Sequence, residues 1–154
     1  MVQIREINTA DKKNLKEIRN LLKELQETAE CEHELDNIEM ENIFEEMDAS
    51  PNFYLNYIAV DEDKEGKVVG FISIIFYKTL FHKGGTALIN ELIVSKDYRG
   101  KGVGRKLVEQ AVQIARQRGM DEIEVGTEEE NIKARNFYVK NGFDKEYILL
   151  GKIF

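Results

Sequence analysis

Apolar residues along this chain follow two rhythms, and the switches between them predict its elements. At the start VQIREI alternates apolar and polar positions, so Gln3 to Ile7 is predicted as a short strand. From Asp11 the period lengthens: Leu15, Ile18, Leu22 and Leu25, with Leu21 beside them, form the stripe of a helix. A second helix is predicted from about Leu35 to Met47, with Ile38, Ile43, Phe44 and Met47 inward and its acids outward. Pro51 then breaks the chain. Asn52 to Val60 and Lys67 to Tyr77, rich in aromatic and β-branched residues, read as a hairpin across the turn DEDKEG. The loop KTLFHKGG leads to a strand from Thr86 to Val94. Helical spacing returns at Val103, Leu107, Val108, Ala111, Val112, Ile114 and Ala115 and stops at Arg118-Gly119. A strand from Glu122 to Thr127, a helix from about Asn131 to Lys140 and a strand from Phe143 onward complete the pattern.

The predicted order is β-α-α-β-β-β-α-β-α-β, an α/β (α+β) arrangement in which a mixed sheet carries helices on both faces. No repeat, low-complexity tract or linker interrupts residues 1–154, so one domain is expected for the 154-residue chain. A hydrophobic fraction of 42% with 33% charged residues lies in the globular range and excludes a disordered chain. No apolar run reaches the roughly 18 residues that span a membrane, and MVQIREI lacks a signal peptide's apolar stretch, so no membrane partner is expected. Cys31 is the only cysteine; it excludes an internal disulfide and points to a reducing, cytoplasmic compartment.

Candidate chemistry concentrates between Glu91 and Lys106, ELIVSKDYRGKGVGRK, where an apolar strand runs into a basic, glycine-spaced turn that opens a helix. Glycines remove Cβ atoms, so the turn can bend sharply and several backbone N–H groups can converge on one oxyanion. The helix N-terminus adds unpaired N–H groups and about half a positive charge, which favours phosphate. Arg99, Lys101, Arg105 and Lys106 surround it with mobile cations. Two nucleotide patterns fail here. GxxxxGK[ST] meets Arg105 five residues after Gly100 with no Ser or Thr following, and GxGxxG meets Leu107 at its third glycine. RxxGxG remains, as Arg99, Gly102 and Gly104.

That motif, preceded by Leu92, Ile93 and Val94, resembles the cofactor motif of the GCN5-related N-acetyltransferase (GNAT) family. A second stretch is similar to another signature of that family: Asn131, Ala134, Phe137, Tyr138, Gly142 and Phe143 form NxxAxxFYxxxGF. Together the two span Glu91 to Phe143, about a third of the chain, separated by one helix and one strand. The resemblance implies a mostly antiparallel GNAT-like sheet, acetyl-coenzyme A as co-substrate and an N-acetyltransferase that works by direct attack in a ternary complex. Backbone groups of Leu92, Ile93 and Val94 would hold the pantetheine arm. The turn from Arg99 through Gly100, Lys101, Gly102, Val103 and Gly104 to Arg105 would hold the pyrophosphate. Tyr138 would lie near the cofactor sulfur and supply the thiol proton.

An alkyl amine is almost fully protonated near neutral pH, so the reaction needs a base. The two positions before Leu92, where relatives often carry acids, are Asn90 and Glu91. Strand side chains alternate, so only one of these faces the cleft unless a bulge intervenes. Glu91 either takes the proton or orients the strand; with Asn90 facing the cleft, a water chain to a more distant acid carries it. Asn131 either contacts the cofactor or caps its helix. Where such relatives close with two strands, only FDKEYILLGKIF remains here. One long strand, two short ones, or a neighbouring subunit would finish the sheet, and the last would make a homodimer.

Charge refines the partners. The chain carries a net charge of −7 and has no Lys or Arg from Glu24 to Asp63, while basic residues gather in the half that holds the motifs. The acidic tract is a solvated helix face or a field that draws a cationic acceptor, such as a polyamine, an aminoglycoside, a lysine side chain or a protein N-terminus. Nucleic acid is not expected as a partner of so acidic a chain. No metal site is expected, since Cys31-x-His33 lacks two further ligands. Two other classes stay open: a sensor that binds acyl-coenzyme A without turnover, and an acidic domain that docks a basic protein.

Overall fold

The computed structural model describes residues 1–26 and 37–154. The side chain of Leu25, the predicted helix start at Leu35, and Cys31 and His33 fall outside what is described. The elements run in the order β1 (Val2–Glu6), α1 (Lys12–Gln26), α2 (Asn37–Asp48), β2 (Tyr54–Asp61), β3 (Lys67–Tyr77), β4 (Thr86–Val94), α3 (Val103–Gln117), β5 (Glu122–Val125) and α4 (Ile132–Lys140). Short 3₁₀ turns follow β2 and β4. The five strands lie in sequence order, antiparallel from β1 to β4 and parallel between β4 and β5. This is the mixed, mostly antiparallel sheet of the predicted fold class.

Each face of the sheet has its own core. On one, Leu15, Ile18 and Leu21 of α1 and Met40 and Phe44 of α2 pack on Ile58, Val60, Val68, Phe71 and Ile93. On the other, Val103, Leu107, Val108 and Ala111 of α3 pack on Ala59, Ile72, Ile74, Ala87 and Ile89. Alternation along β2 to β4 sends neighbouring residues to opposite cores, which is why these strands read as nearly continuous apolar runs.

Two expectations change. Ile38 and Ile43 of α2 are exposed rather than inward, because the buried stripe is Met40, Phe44 and Met47, spaced four and three apart. The strand expected from Phe143 onward does not form: residues 143–154 have no regular structure, and Ile148, Leu149, Leu150, Ile153 and Phe154 are almost fully exposed. Strand propensity is a preference for a paired, half-buried surface, and this arm has no partner strand among the described residues. Smaller shifts lie at the ends: β2 begins at Tyr54, after a turn at 51–53, and β5 ends at Val125 rather than Thr127.

Candidate active site

The site is built on an irregularity in β4. Ser73 of β3 faces Glu91, but the next pair is Ile74 with Ile89, so Asn90 is an extra residue, a β-bulge. Parity reverses across it: Ala87 and Ile89 before the bulge and Leu92 and Val94 after it all face the α3 core, while Glu91 and Ile93 face α1 and α2. The bulge also coincides with the end of pairing on the other side. β5 follows β4 from Thr86–Glu122 to Ile89–Val125 and no further. Among the described residues, the β5-side edge of β4 is therefore unpaired from Asn90 to Val94, a splay lined by backbone N–H and C=O groups.

Glu91 sits at the head of this splay, partly buried, and its carboxyl Oε1 accepts a hydrogen bond from Asn90 Nδ2 at 2.6 Å. Burial raises its pKa above the ordinary glutamate value, while the Asn90 amide and the Ser73 hydroxyl pull the other way. Burial wins, and the carboxylate becomes a stronger base than an exposed one. The bulge sets the two residues of the pair apart. Asn90 stays exposed and supports the acid beside it, and Glu91 takes the α1/α2 face.

Below the splay lies the glycine turn. Gly100 and Gly102 have φ of +74° and +80°, in the left-handed region, and a Cβ on either would meet nothing within 4 Å. The space above these two residues is open to a ligand. Gly104 is different: its Cβ would meet Phe137 Cζ at 3.3 Å, so this glycine lets α4 lie against the first turn of α3. Lys106 N–H, bonded to the Gly102 carbonyl at 3.1 Å, is the first to enter the helical ladder. The N–H groups of Val103, Gly104 and Arg105 thereby remain for an anion.

The turn is anchored from beneath. Buried Tyr98 donates its hydroxyl to Asp61 Oδ2 at 2.7 Å, a bond that holds the Asp61 carboxyl below its usual range. Lys64 and Lys101 lie over the Tyr98 ring at 5.4 and 5.3 Å. Arg99 spans the turn through Nε to the Val94 carbonyl at 2.9 Å, and Arg105 pairs with Glu109 one turn along α3 at 2.7 Å. Val103 is buried in the core and offers the cradle only its backbone.

Tyr138 comes from α4, with Phe137 and Phe143 edge-on at ring distances of 5.2 and 5.5 Å, and joins the core cluster that contains Leu92 and Val94. Burial pushes its phenol up to about 12. Tyr138 and Glu91 therefore belong to opposite faces of β4, with the open edge between them. Asn131 caps α4, its Oδ1 accepting from Ala134 N at 3.1 Å, which leaves its amide hydrogens for a ligand. Sequence reasoning missed Asn56 and Ser73, the cross-strand partners that extend a polar row from Glu91. The signal was there: each is a lone polar residue in an apolar strand, YLNYIAV and VVGFISIIF.

A model of the acetyltransferase (GNAT) family matches residues 15–143. The N-alpha-acetyltransferase 30 of Schizosaccharomyces pombe is 33% identical over 90 residues, covering 57% of this chain and 56% of that protein. The aminoalkylphosphonate N-acetyltransferase of Salmonella typhimurium is 32% identical over 89 residues, covering 58% of each. The chain thus spans little more than half the length of these curated relatives. In fold, it superposes on the crystal structure of glucosamine-6-phosphate N-acetyltransferase from Arabidopsis thaliana with a TM-score of 0.83 at 23% identity, covering 100% of this chain and 99% of that one. Among the described residues, no helix is long and apolar enough to cross a membrane, and no three His, Cys, Asp or Glu side chains gather as metal ligands would.

Proposed function

The chain belongs to the acetyltransferase (GNAT) family, and from that premise we propose that it moves the acetyl group of acetyl-coenzyme A to a primary amine by direct attack in a ternary complex. One observation carries this reading: the bulge at Asn90 and the end of β5 pairing at Ile89 fall together, opening the β4 edge between a glycine turn and a partly buried carboxylate. An extended thioester arm fits such an edge as an added strand, held by the backbone of Leu92, Ile93 and Val94. Its pyrophosphate fits the turn from Arg99 to Arg105, where open glycines, free N–H groups and cations meet. Asn131 borders the site through its amide hydrogens.

The amine nitrogen attacks the thioester carbonyl carbon, the N–C bond forms and the C–S bond breaks. Glu91 receives the proton the amine gives up. Its raised pKa narrows the gap to an alkyl ammonium near 10.4, although the gap stays large and only the small neutral fraction reacts. Tyr138 faces the departing sulfur. Full transfer of a proton from a phenol at about 12 to a thiolate whose thiol titrates near 8.5 is uphill by roughly 5 kcal/mol. Its role is therefore a hydrogen bond to the developing negative charge, in which Tyr138 keeps its proton and the released thiolate takes one from solvent.

The relatives' names give different acceptors and share only N-acetyl transfer. A cationic acceptor suits the acidic segment from Glu24 to Asp63. A homodimer belongs to the same reading, since the apolar arm 148–154 and the outer edge of β5 each lack a partner strand among the described residues, and a second copy offers both. A thiol-release assay with acetyl-coenzyme A against polyamines, aminoglycosides, lysine peptides and protein N-terminal peptides tests the activity. Amine-dependent release is expected. Tight acyl-coenzyme A binding with no release from any amine would make the chain a sensor instead, and cofactor-independent capture of a basic protein would make it a docking domain.

A further inference from the structure

Glu91 does not stand alone on its face. Asn56 of β2 lies opposite Ser73 of β3, and Ser73 lies opposite Glu91. Direct cross-strand partners point to the same side with Cβ atoms about 5 Å apart, so the three form one polar row. The row marks a border. One step toward the helices, Ile58, Phe71 and Ile93 face each other in the α1/α2 core; one step away, Tyr54, Ile75 and Leu88 are only partly buried.

Asn56 and Ser73 are themselves buried, at 4% and 0% exposure, and among the described residues neither Asn56 Oδ1 nor Ser73 Oγ makes a hydrogen bond, although Ser73 lies opposite Glu91 and its hydroxyl draws the carboxyl's pKa down. The Asn56 amide is engaged with Met47 Sδ of α2 at 3.5 Å. An unpaired polar atom inside a core costs about 1–3 kcal/mol, so two in one row next to an ionisable group call for a role.

We propose that Ser73 and Asn56 are positioning residues for Glu91, a hydrogen-bond row that serves both its ionised and its protonated form by turning one hydroxyl. While Glu91 is ionised, Ser73 donates to the carboxylate and Asn56 Oδ1 waits unpaired. Once Glu91 holds the amine's proton, its O–H donates to Ser73 Oγ and the Ser73 hydrogen turns to Asn56 Oδ1. No proton moves beyond Glu91; only the row's orientation changes. On the elements beside β4, Glu17 accepts from the Val68 N–H, Glu24 from the Lys96 N–H, and Tyr77 donates to Glu124. α3 packs on the opposite face. The balance at Glu91 is set by burial, the Asn90 amide and Ser73.

This proposal rests on Glu91 as the base, and its test separates the two. The Glu91 carboxyl is titrated by ¹³C NMR in the full chain without acetyl-coenzyme A, its resonance assigned by Glu91→Gln, and the acid limb of kcat/KM is measured beside it. Ser73→Ala removes the donor to the carboxylate and is expected to raise the Glu91 midpoint by about one pH unit, tenfold in proton affinity. Asn56→Leu keeps the volume but removes the last acceptor, and is expected to lower the midpoint. Ser73→Thr, which keeps the hydroxyl, is expected to stay near the original. Shifts in the same direction for Ser73→Ala and Asn56→Leu, or none, overturn the row. If Asn56→Leu does not fold, an unmoved midpoint in Ser73→Ala overturns it alone. Opposite NMR shifts that the acid limb of the rate profile does not follow leave the row standing and remove Glu91 as the base.

Discussion

At the scale of single residues, the site holds two groups displaced from their ordinary titration ranges by burial, and each displacement has a measurable sign. Glu91 has its folded pKa raised, so it favours folding below the unfolded glutamate value, and that contribution is lost as pH rises through the folded one. Near pH 7 an ionised, half-buried carboxylate works against the fold. Glu91→Gln should therefore raise the melting temperature at pH 7 and give no such gain at pH 4, while lowering the acetyl-transfer rate. A lower melting temperature at pH 7 would mark Glu91 as a structural residue. Tyr138, with its phenol at about 12, stays protonated through the whole working range. Tyr138→Phe should reduce kcat about 10- to 100-fold with the acetyl-coenzyme A KM unchanged, and should leave the basic side of the pH profile in place. Equal rates would remove Tyr138 from the mechanism.

Elements decide what the same residue type does. Gly102 and Gly104 are two residues apart at the start of α3, yet one faces open space in a left-handed conformation and the other faces Phe137. Gly102→Val should cost about 1–3 kcal/mol of backbone strain and, in titration calorimetry, abolish coenzyme A binding in a protein that still folds. Gly104→Val pushes into Phe137 and loosens α4, which carries Tyr138; overpacking of this kind costs about 1–3 kcal/mol. Here the melting temperature should fall and kcat should fall with it. If Gly102→Val binds coenzyme A as well as the original protein does, the turn is not the anion site. β4 shows the same principle along a strand. A single extra residue, Asn90, reverses the facing of everything after it and ends the pairing with β5, so one local irregularity makes both the carboxylate's position and the open edge.

At the scale of the molecule, the sheet of the described residues ends at β5 with its outer edge unpaired among them, and the arm beyond α4 exposes a run of large apolar side chains. Burying a Leu, Ile or Phe is worth about 1.5–3 kcal/mol each, so such an arm is a strong drive toward association. Its root is tied near β5, Tyr147 donating to Glu122 Oε1 at 2.6 Å and Arg135 pairing with Glu146 at 2.8 Å. Light scattering on the purified chain should give twice the 17.8 kDa chain mass at micromolar concentration, and Ile148→Lys with Leu150→Lys should return it to one. A wild-type mass of one chain would remove the homodimer.

Local chemistry was legible along the chain: the periods of α1 and α3, the hairpin of β2 and β3, the glycine turn and the capping Asn131 all depend on residues within a turn or two of each other. So was the pairing of two motifs that names the family. Other features turned on meetings between distant segments. Ile38 and Ile43 face outward because the sheet accepts the Met40, Phe44 and Met47 stripe, and no residue of α2 announces that choice. Phe143 onward has strand propensity, but a strand needs an edge to pair with. That Glu91 rather than Asn90 enters the α1/α2 face, and that Asn56 and Ser73 fall in line with the carboxylate, follow from strand register, while the contact of Gly104 with Phe137 follows from where α4 lies. Register is a property of which residues on separate strands lie opposite one another, and only the tertiary structure decides it.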